Sequence, residues 1–452
     1  MDISLFIQMM IAALAATVAY TILGVVPGTD ETAVIAPVTL ALILAGIQPV
    51  VVLTFYMAAI IAHKLTDSVP VAVAGIPGGV MATPMVEHAV VLKKHGQSET
   101  SIKKMISGSV IGTLVSLPVS LLLAGALIPF AGFIDDYANE VLFAGTVVLA
   151  LLSANRWLSF LVIVPFALLI QGLRFLYWEL GIVPEGKNVF ISFFLGITIG
   201  PVIVTFIDLL NKEKRKQLVR NGPAEITIKK LKKEKGFPNP FVILSKRELG
   251  MSSIASLIGT VTFMLSAVGV TTLVGELFSK REKDPVKRSS LAISCMEALA
   301  NATYIAGTLV PLIALGYPLS SVALGPANPL FHAPPVLTLE NNLHHILSFS
   351  DFIWAVCIGV FISLAITYFL TVKYANEICR FVFKRIPHEA ILGLFSGLVL
   401  LLAYMDAGWL NIAGVFLISL VSGTLSRSGV NFGVQFMILY SAPWLVSILA
   451  GM

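Results

Sequence analysis

Charge is scarce in this sequence. Only 12% of its 452 residues are Asp, Glu, Lys or Arg and 57% are hydrophobic, whereas an ordinary soluble domain carries about 25% charged residues. A chain this apolar cannot keep a water-facing surface, which excludes a soluble globular protein. Cysteine is rare too. Cys295, Cys357 and Cys379 are the only three, all in or at the ends of apolar runs, and their spacing suggests neither a disulfide framework nor a zinc site. No GxxxxGK[ST] loop is present to cradle phosphates, which excludes a chain that itself hydrolyses ATP. No HExxH, no GxSxG and no Cys/His cluster argues for catalysis, and His88, His344 and His345 read as loop or interface residues. Basic stripes with interleaved aromatics are absent, so the net charge of +5 is no nucleic-acid footprint.

What is present is apolar length. Segments 105–131, 141–170, 189–210, 350–372, 390–404 and 409–425 are largely free of charge. Several reach the roughly 20 residues that cross about 30 Å of hydrocarbon as a helix. A barrel would instead alternate in stretches of about ten residues. The expectation is an all-α integral membrane protein of about 10 crossings with paired re-entrant segments, or a plain 12. Residues Met1 to Ser4 offer no basic n-region and no cleavage site, so the first helix reads as retained.

The basic residues mark topology. Residues 212–248 are the one long polar stretch, running through Lys212, Lys214, Arg215 and Lys216 to Lys229, Lys230, Lys232 and Lys233. They suggest a membrane repeat over 1–210, a basic linker over 211–248 and a second repeat over 249–452. Basic loops favour the cytoplasm, which places the linker, 93–104, 280–288 and 373–389 inside a cell membrane. The loops 132–140 and 334–346, without a base, fit the outside.

The two halves repeat. Gly28 and Gly269, Pro70 and Pro311, Gly75 and Gly316, and Pro77 and Pro318 are each 241 positions apart. Loops equivalent at this offset have opposite charge preference. Loop 93–104 is basic where 334–345 has no base, and 132–140 is acidic where 373–381 is basic. That is the signature of an inverted-topology repeat, common in secondary transporters.

Function is expected where the apolar pattern breaks, because irregular backbone at membrane depth needs protein or a water-filled cavity around it. The first break runs from Gly24 through Pro27, Gly28, Thr29, Asp30, Glu31 and Thr32. Asp30 and Glu31 either couple a cation or proton or sit in an exposed turn. The second holds His63, Lys64, Thr66, Asp67 and Ser68, then Gly75, Ile76, Pro77, Gly78 and Gly79. Glycine and proline there suit close backbone approach to a ligand, and a following helix N-terminus suits an anion. Lys64 could add a positive charge. Alternatively His63 and Lys64 snorkel at a helix end and Asp67 caps the next helix. The third break is expected around Ser266 to Gly269, beside Thr271 and Thr272. The fourth includes Glu297, Asn301, Thr303, Tyr304 and Gly307, then Gly316, Pro318, Ser320 and Ser321. Glu297 and Asn301 share a helix face and suit either a polar pathway or a helix–helix hydrogen bond.

At these residues the sequence resembles the large membrane permease subunit of the tripartite tricarboxylate transporters. The resemblance rests on Gly24 to Gly28, Ile76-Pro77-Gly78, Lys94 to Gln97, Glu297, Asn301 and the run Pro311 to Pro318. The order and spacing cover most of 20–330. Departures are Val268-Gly269 where the family has Pro-Gly, Ala302 after Asn301, and His63 to Ser68 where a Gly-Gly-Ser stretch is expected. The resemblance implies uptake of an organic anion, a di- or tricarboxylate, driven by sodium or protons, without a further cofactor. It also implies a small membrane subunit and an extracytoplasmic solute-binding protein as partners. In that reading Lys64, Gly75, Pro77, Gly78, Gly79, Asn301, Gly316, Pro318, Ser320 and Ser321 line the substrate site. Coupling falls to Pro27, Gly28, Thr29, Asp30, Glu31, Thr32, Asp67, Gly269 and Glu297. A membrane enzyme or lipid-handling protein would cluster polar groups at one interface, and a channel would show a ring of repeated charges; the sequence shows neither.

Overall fold

Among the described residues, regular structure is helical throughout, apart from two isolated bridges, Ala333 with Leu337 and Thr338 with Asn341. The structure is a computed structural model and describes residues 2–26, 29–75, 78–187, 189–213, 238–265, 267–320, 322–385 and 388–451. Most of the basic linker therefore lies outside the described residues. The principal helices are α1 (Ile3–Leu23), α2 (Glu31–Leu44), α3 (Pro49–Thr66), α4 (Ser68–Ala74), α5 (Val86–Lys94), α6 (Ser98–Leu127), α7 (Ala138–Leu152), α8 (Ile163–Glu179) and α9 (Phe190–Leu210). The second half adds α10 (Lys246–Val261), α11 (Ala267–Ser279), α12 (Pro285–Ala314), α13 (Leu324–Phe331), α14 (Phe349–Arg385), α15 (His388–Arg427) and α16 (Phe432–Leu449).

Nine helices among the described residues are long and apolar enough to cross a membrane, and three more are apolar but shorter. The expectation of about ten to twelve compares with these nine candidates, counted by length and composition among the described residues. The difference lies partly in Ala390–Arg427, one apolar span of 38 residues. It bends at Ala407 and Gly408, where Gly408 has φ 73°. A straight helix of that length would exceed the hydrocarbon thickness, at 1.5 Å per residue. Helices α2 and α11, with 14 and 13 residues, are each too short for a full crossing.

Local sequence sets the helix ends. Asp30 opens α2, its side chain accepting from the Thr32 amide at 2.9 Å. Ser245 and Glu248 form a reciprocal capping box at the start of α10. Asp284 caps α12 through the Val286 and Lys287 amides, with Pro285 at the first helical position.

Two spanning helices differ from the rest. Pro49–Val73 and Pro285–Ala314 are almost wholly enclosed by protein, Phe190–Asp208 and Phe432–Leu449 are mostly enclosed, and the other five present a broad face outward. A helix enclosed on all sides can carry polar groups that lipid would reject. These two carry His63, Lys64, Asp67, Glu297 and Asn301. Their neighbours come close through small residues. A Cβ on Gly108 of α6 would meet the Ser294 carbonyl of α12 at 2.4 Å, and one on Gly112 the Ala298 carbonyl at 2.5 Å. This Gly-x-x-x-Gly spacing lets two membrane helices touch backbone to backbone. Gly200 of α9 and Gly423 of α15 make the same kind of crossing.

The basic segments gather at one end. Lys104 pairs with Glu248, Arg247 with Glu282 at 2.9 Å, and Arg288 with Glu276 at 2.7 Å. His88 and Ser290 join through Glu276 and Glu248. Residues of the 93–104 loop, the linker's end and the 280–288 loop thus share one face of the bundle.

Candidate functional site

At the C-terminal end of α3 the chain buries an ammonium. Lys64 is 1% exposed, because α3 is surrounded there by other helices. Its Nζ donates to Glu31 Oε1 at 3.0 Å and to Asp67 Oδ2. Glu31 is 1% exposed and Asp67 fully buried. Neither snorkelling nor an exposed turn describes these residues. Asp67 makes no side-chain cap to α4; its carboxylate is turned to Lys64 instead. An isolated charge in this setting would be very costly, and pairing with further hydrogen bonds offsets that cost.

Three chain segments build the cluster. Glu31 enters from the first turn of α2, where the helix dipole favours an anion. His63, Lys64 and Asp67 come from α3 and the turn after it. The Tyr304 ring of α12 covers the ammonium, with its centroid 5.0 Å from Nζ. Neither His63 ring nitrogen makes a hydrogen bond of ordinary geometry, although the Thr29 backbone lies beside the ring. Glu31, His63 and Asp67 each bring one ligand atom within 4.8 Å of the others, a group that could hold a metal ion.

The glycine loop closes over this cluster. A Cβ on Gly79 would stand 3.0 Å from the Glu31 carboxylate, and one on Gly78 would strike the Asp67 carbonyl at 2.3 Å. Any other residue at 78 would strike the Asp67 backbone and displace the loop, and one at 79 would press on the Glu31 carboxylate. From the second half, Gly325 of α13 comes equally close to Thr32, where a Cβ would meet Oγ1 at 2.4 Å. Thr29 bonds back to the Leu23 and Val26 carbonyls, holding the turn that delivers Glu31. Asp30 is half-buried and serves as the cap of α2.

A polar stripe on α12 extends the site. Glu297, Asn301, Tyr304 and Thr308 are spaced to lie on one face. Ser109 Oγ of α6 donates to Glu297 Oε2 at 3.2 Å. Asn301 Nδ2 donates to the Ser109 carbonyl at 2.9 Å and to Thr113 Oγ1 at 2.7 Å. Thr308 meets the Tyr56 hydroxyl at 3.2 Å. Glu297 Oε1, Asp67 Oδ1 and Asn301 Oδ1 are buried without a partner. Sequence reasoning overlooked Ser109 and Thr113, although the Gly108-x-x-x-Gly112 spacing that brings them to α12 was readable.

The remaining second-half residues form a neighbouring group. Gly316, with φ 72°, matches Gly75, with φ 74°. The Gly316 carbonyl accepts from Asn342 Nδ2 at 2.8 Å. Ser320 leans on Gly307, one helical turn along α12 from Tyr304, and donates to the Phe263 carbonyl at 3.3 Å. Pro318 is buried in the same loop. The third break falls earlier than expected. The chain is non-helical at 262–265, while Gly269 lies inside α11. The chain leaves α10 at Thr262, whose hydroxyl donates back to the Ile258 carbonyl at 2.7 Å, and Gly269 alone does not break a helix whose neighbours are apolar. Pro27, Gly28, Pro77, Ser266 and Ser321 lie outside the described residues.

A second polar cluster surrounds the bend in α15. Asp406 accepts from Ser192, and Lys187 Nζ donates to the Asp406 carbonyl. Asn411 Nδ2 bonds Ser192 Oγ at 2.6 Å and the Ala403 carbonyl at 2.7 Å. These bonds satisfy backbone that the bend frees.

The sequence model described as the Tripartite tricarboxylate transporter TctA family matches residues 10–438 of the chain. No curated protein and no solved structure matches it. The match covers nearly all of the 452 residues, and the chain belongs to that family, which is one of membrane transporter subunits for tricarboxylates and not of enzymes.

Proposed function

We propose that this member of the TctA family is the permease subunit of a secondary active transporter, carrying an organic anion, a di- or tricarboxylate, across the cell membrane on a sodium or proton gradient. The observation that carries the reading is the closed cluster of Glu31, Lys64, Asp67 and Glu297. Four ionisable side chains sit together inside a membrane body, each 1% exposed or less. Charges at membrane depth are rare and mark ion or proton pathways. The cluster also lies where Tyr304 and Gly325 of the second half meet the first half, the place at which alternating-access carriers bind their cargo.

In this reading the chain's two halves are inverted repeats. The support is the element order: at the same offset of 241, α1 corresponds to α10, α2 to α11, α3 to α12 and α9 to α16. Packing follows the exchange as well. Helix α1 lies against α3 and α14, and α10 lies against α12 and α6. The substrate would be held by the loops Gly75–Gly79 and Gly316–Ser321 with Asn301, and coupling would run through Asp30, Glu31, Asp67 and Glu297. Because the cluster is closed to solvent, loading requires a state in which one loop has moved. The linker is cytoplasmic, and a small membrane subunit and a solute-binding protein complete the system. Uptake of labelled di- and tricarboxylates into proteoliposomes, with imposed sodium and proton gradients in turn, tests this. Uptake of no carboxylate under either gradient, with the partner subunits present, would overturn it.

A further inference from the structure

We propose that the Lys64 ammonium is a tethered cation occupying the site that Glu31, His63 and Asp67 would otherwise offer a free sodium ion, so that this chain neither binds nor needs sodium. The inference deepens the coupling part of the proposed function and rests on it.

Three observations carry it. First, two carboxylates converge within 4.8 Å of one another and of the His63 ring, and carboxylate oxygens are the ligands that a hard cation takes. Second, that space is already bridged. Lys64 Nζ is bonded to both acids, 3.0 Å from Glu31 Oε1 and in direct contact with Asp67 Oδ2. A free cation among the same oxygens would stand only about 4 Å from the ammonium. Two like charges at that distance cost about a thousandfold in affinity at an effective dielectric of 20. Third, the ammonium is what the surrounding acids face. Glu31 faces Lys64 from α2, Asp67 from the end of α3, and Glu297 and the Tyr304 ring from α12. Asp67 Oδ1 and Glu297 Oε1 are buried without partners. With the ammonium removed, two facing carboxylates and those unpartnered oxygens would remain, and a small cation is what would neutralise them. Of the two gradients, the proposal leaves that of protons.

The test compares purified full-length wild type with Lys64→Ala, melted in equal concentrations of sodium, potassium and choline chloride. Wild type should melt at one temperature in all three salts. The variant should gain about 2 °C or more in sodium alone, since a ligand stabilises the state it binds. Sodium-specific stabilisation of wild type would overturn the proposal, as would a folded Lys64→Ala protein indifferent to sodium. Should the variant not fold, wild-type carboxylate uptake in choline and in sodium media decides. Equal uptake supports the proposal and loss in choline overturns it. Absence of uptake in both media would count against the transport reading alone, because the wild-type melting comparison still reports on sodium.

Discussion

Lys64 Nζ stands 5.0 Å from the centroid of the Tyr304 ring, and this contact joins the two halves of the chain. A desolvated cation over an aromatic face gains about 2 kcal/mol. Tyr304→Leu keeps an apolar side chain but loses the ring, so it should lower the melting midpoint markedly. Tyr304→Phe keeps the ring and should lower it less. Equal losses in the two variants would show that the ring face contributes nothing to holding Lys64.

Gly112 sets the distance between α6 and α12. A Cβ there would sit 2.5 Å from the Ala298 carbonyl, a clash with rigid backbone. Gly112→Val should part the helices and break the Asn301 bonds to Ser109 and Thr113, at a cost of at least 1–3 kcal/mol by the general rule for overpacking. Thermal melting of Gly112→Val and Asn301→Ala, singly and together, reads this directly. Non-additive losses are expected, because the glycine variant already removes what the asparagine holds.

The linker-side cluster gives a pH signature. Burial alone would raise the Glu248 carboxyl, but hydrogen bonds from Lys104, Ser290 and the Ser245 amide prevail and hold it below its ordinary value. Its folded pKa is therefore lower than the unfolded value of about 4.3. Glu248 then stabilises the fold above that pH, and its contribution is lost as pH falls through the lower folded value. The melting gap between wild type and Glu248→Gln should be constant near neutrality and close in acid below about pH 4. A gap that widens in acid would reverse the assignment.

The paired glycines test the repeat. Gly75 and Gly316 have φ 74° and 72°, where a side chain costs about 1–2 kcal/mol. Gly75→Ala and Gly316→Ala should destabilise alike and impair uptake alike. In a cysteine-free background, cysteines at Gln97 and Asn341 should be labelled by an impermeant thiol reagent from opposite sides of the membrane. Labelling from one side would remove the inverted topology.

Much of this was legible in the sequence, for physical reasons. Scarce charge and helix-length apolar runs leave a membrane bundle as the remaining solution. Gly75 and Gly316 marked breaks because few residues other than glycine tolerate a positive φ. What the sequence hid was depth. Lys64 at the end of an apolar run reads equally well as a snorkelling surface lysine, and only the enclosure of α3 by other helices excludes that. Asp67, three positions on, was a readable neighbour of Lys64, whereas Glu31 lies 33 positions away and meets it through the fold. Gly269 misled because its symmetry with Gly28 marked a break that the chain makes several residues earlier.

The most direct test of the coupling cluster is gradient-driven uptake of a labelled tricarboxylate by Glu31→Gln. The assay uses proteoliposomes that hold the full chain with its partner subunits. The substitution keeps side-chain volume and removes the charge that faces Lys64. Elution as a single folded species first separates misfolding from loss of function, since breaking a buried pair is itself destabilising by about 3–5 kcal/mol. Folded Glu31→Gln should accumulate at least about tenfold less solute than wild type, the equivalent of losing 1.4 kcal/mol of coupling. Accumulation equal to wild type, responding equally to the gradient, would contradict the assignment and leave Glu31 and Lys64 as a structural pair.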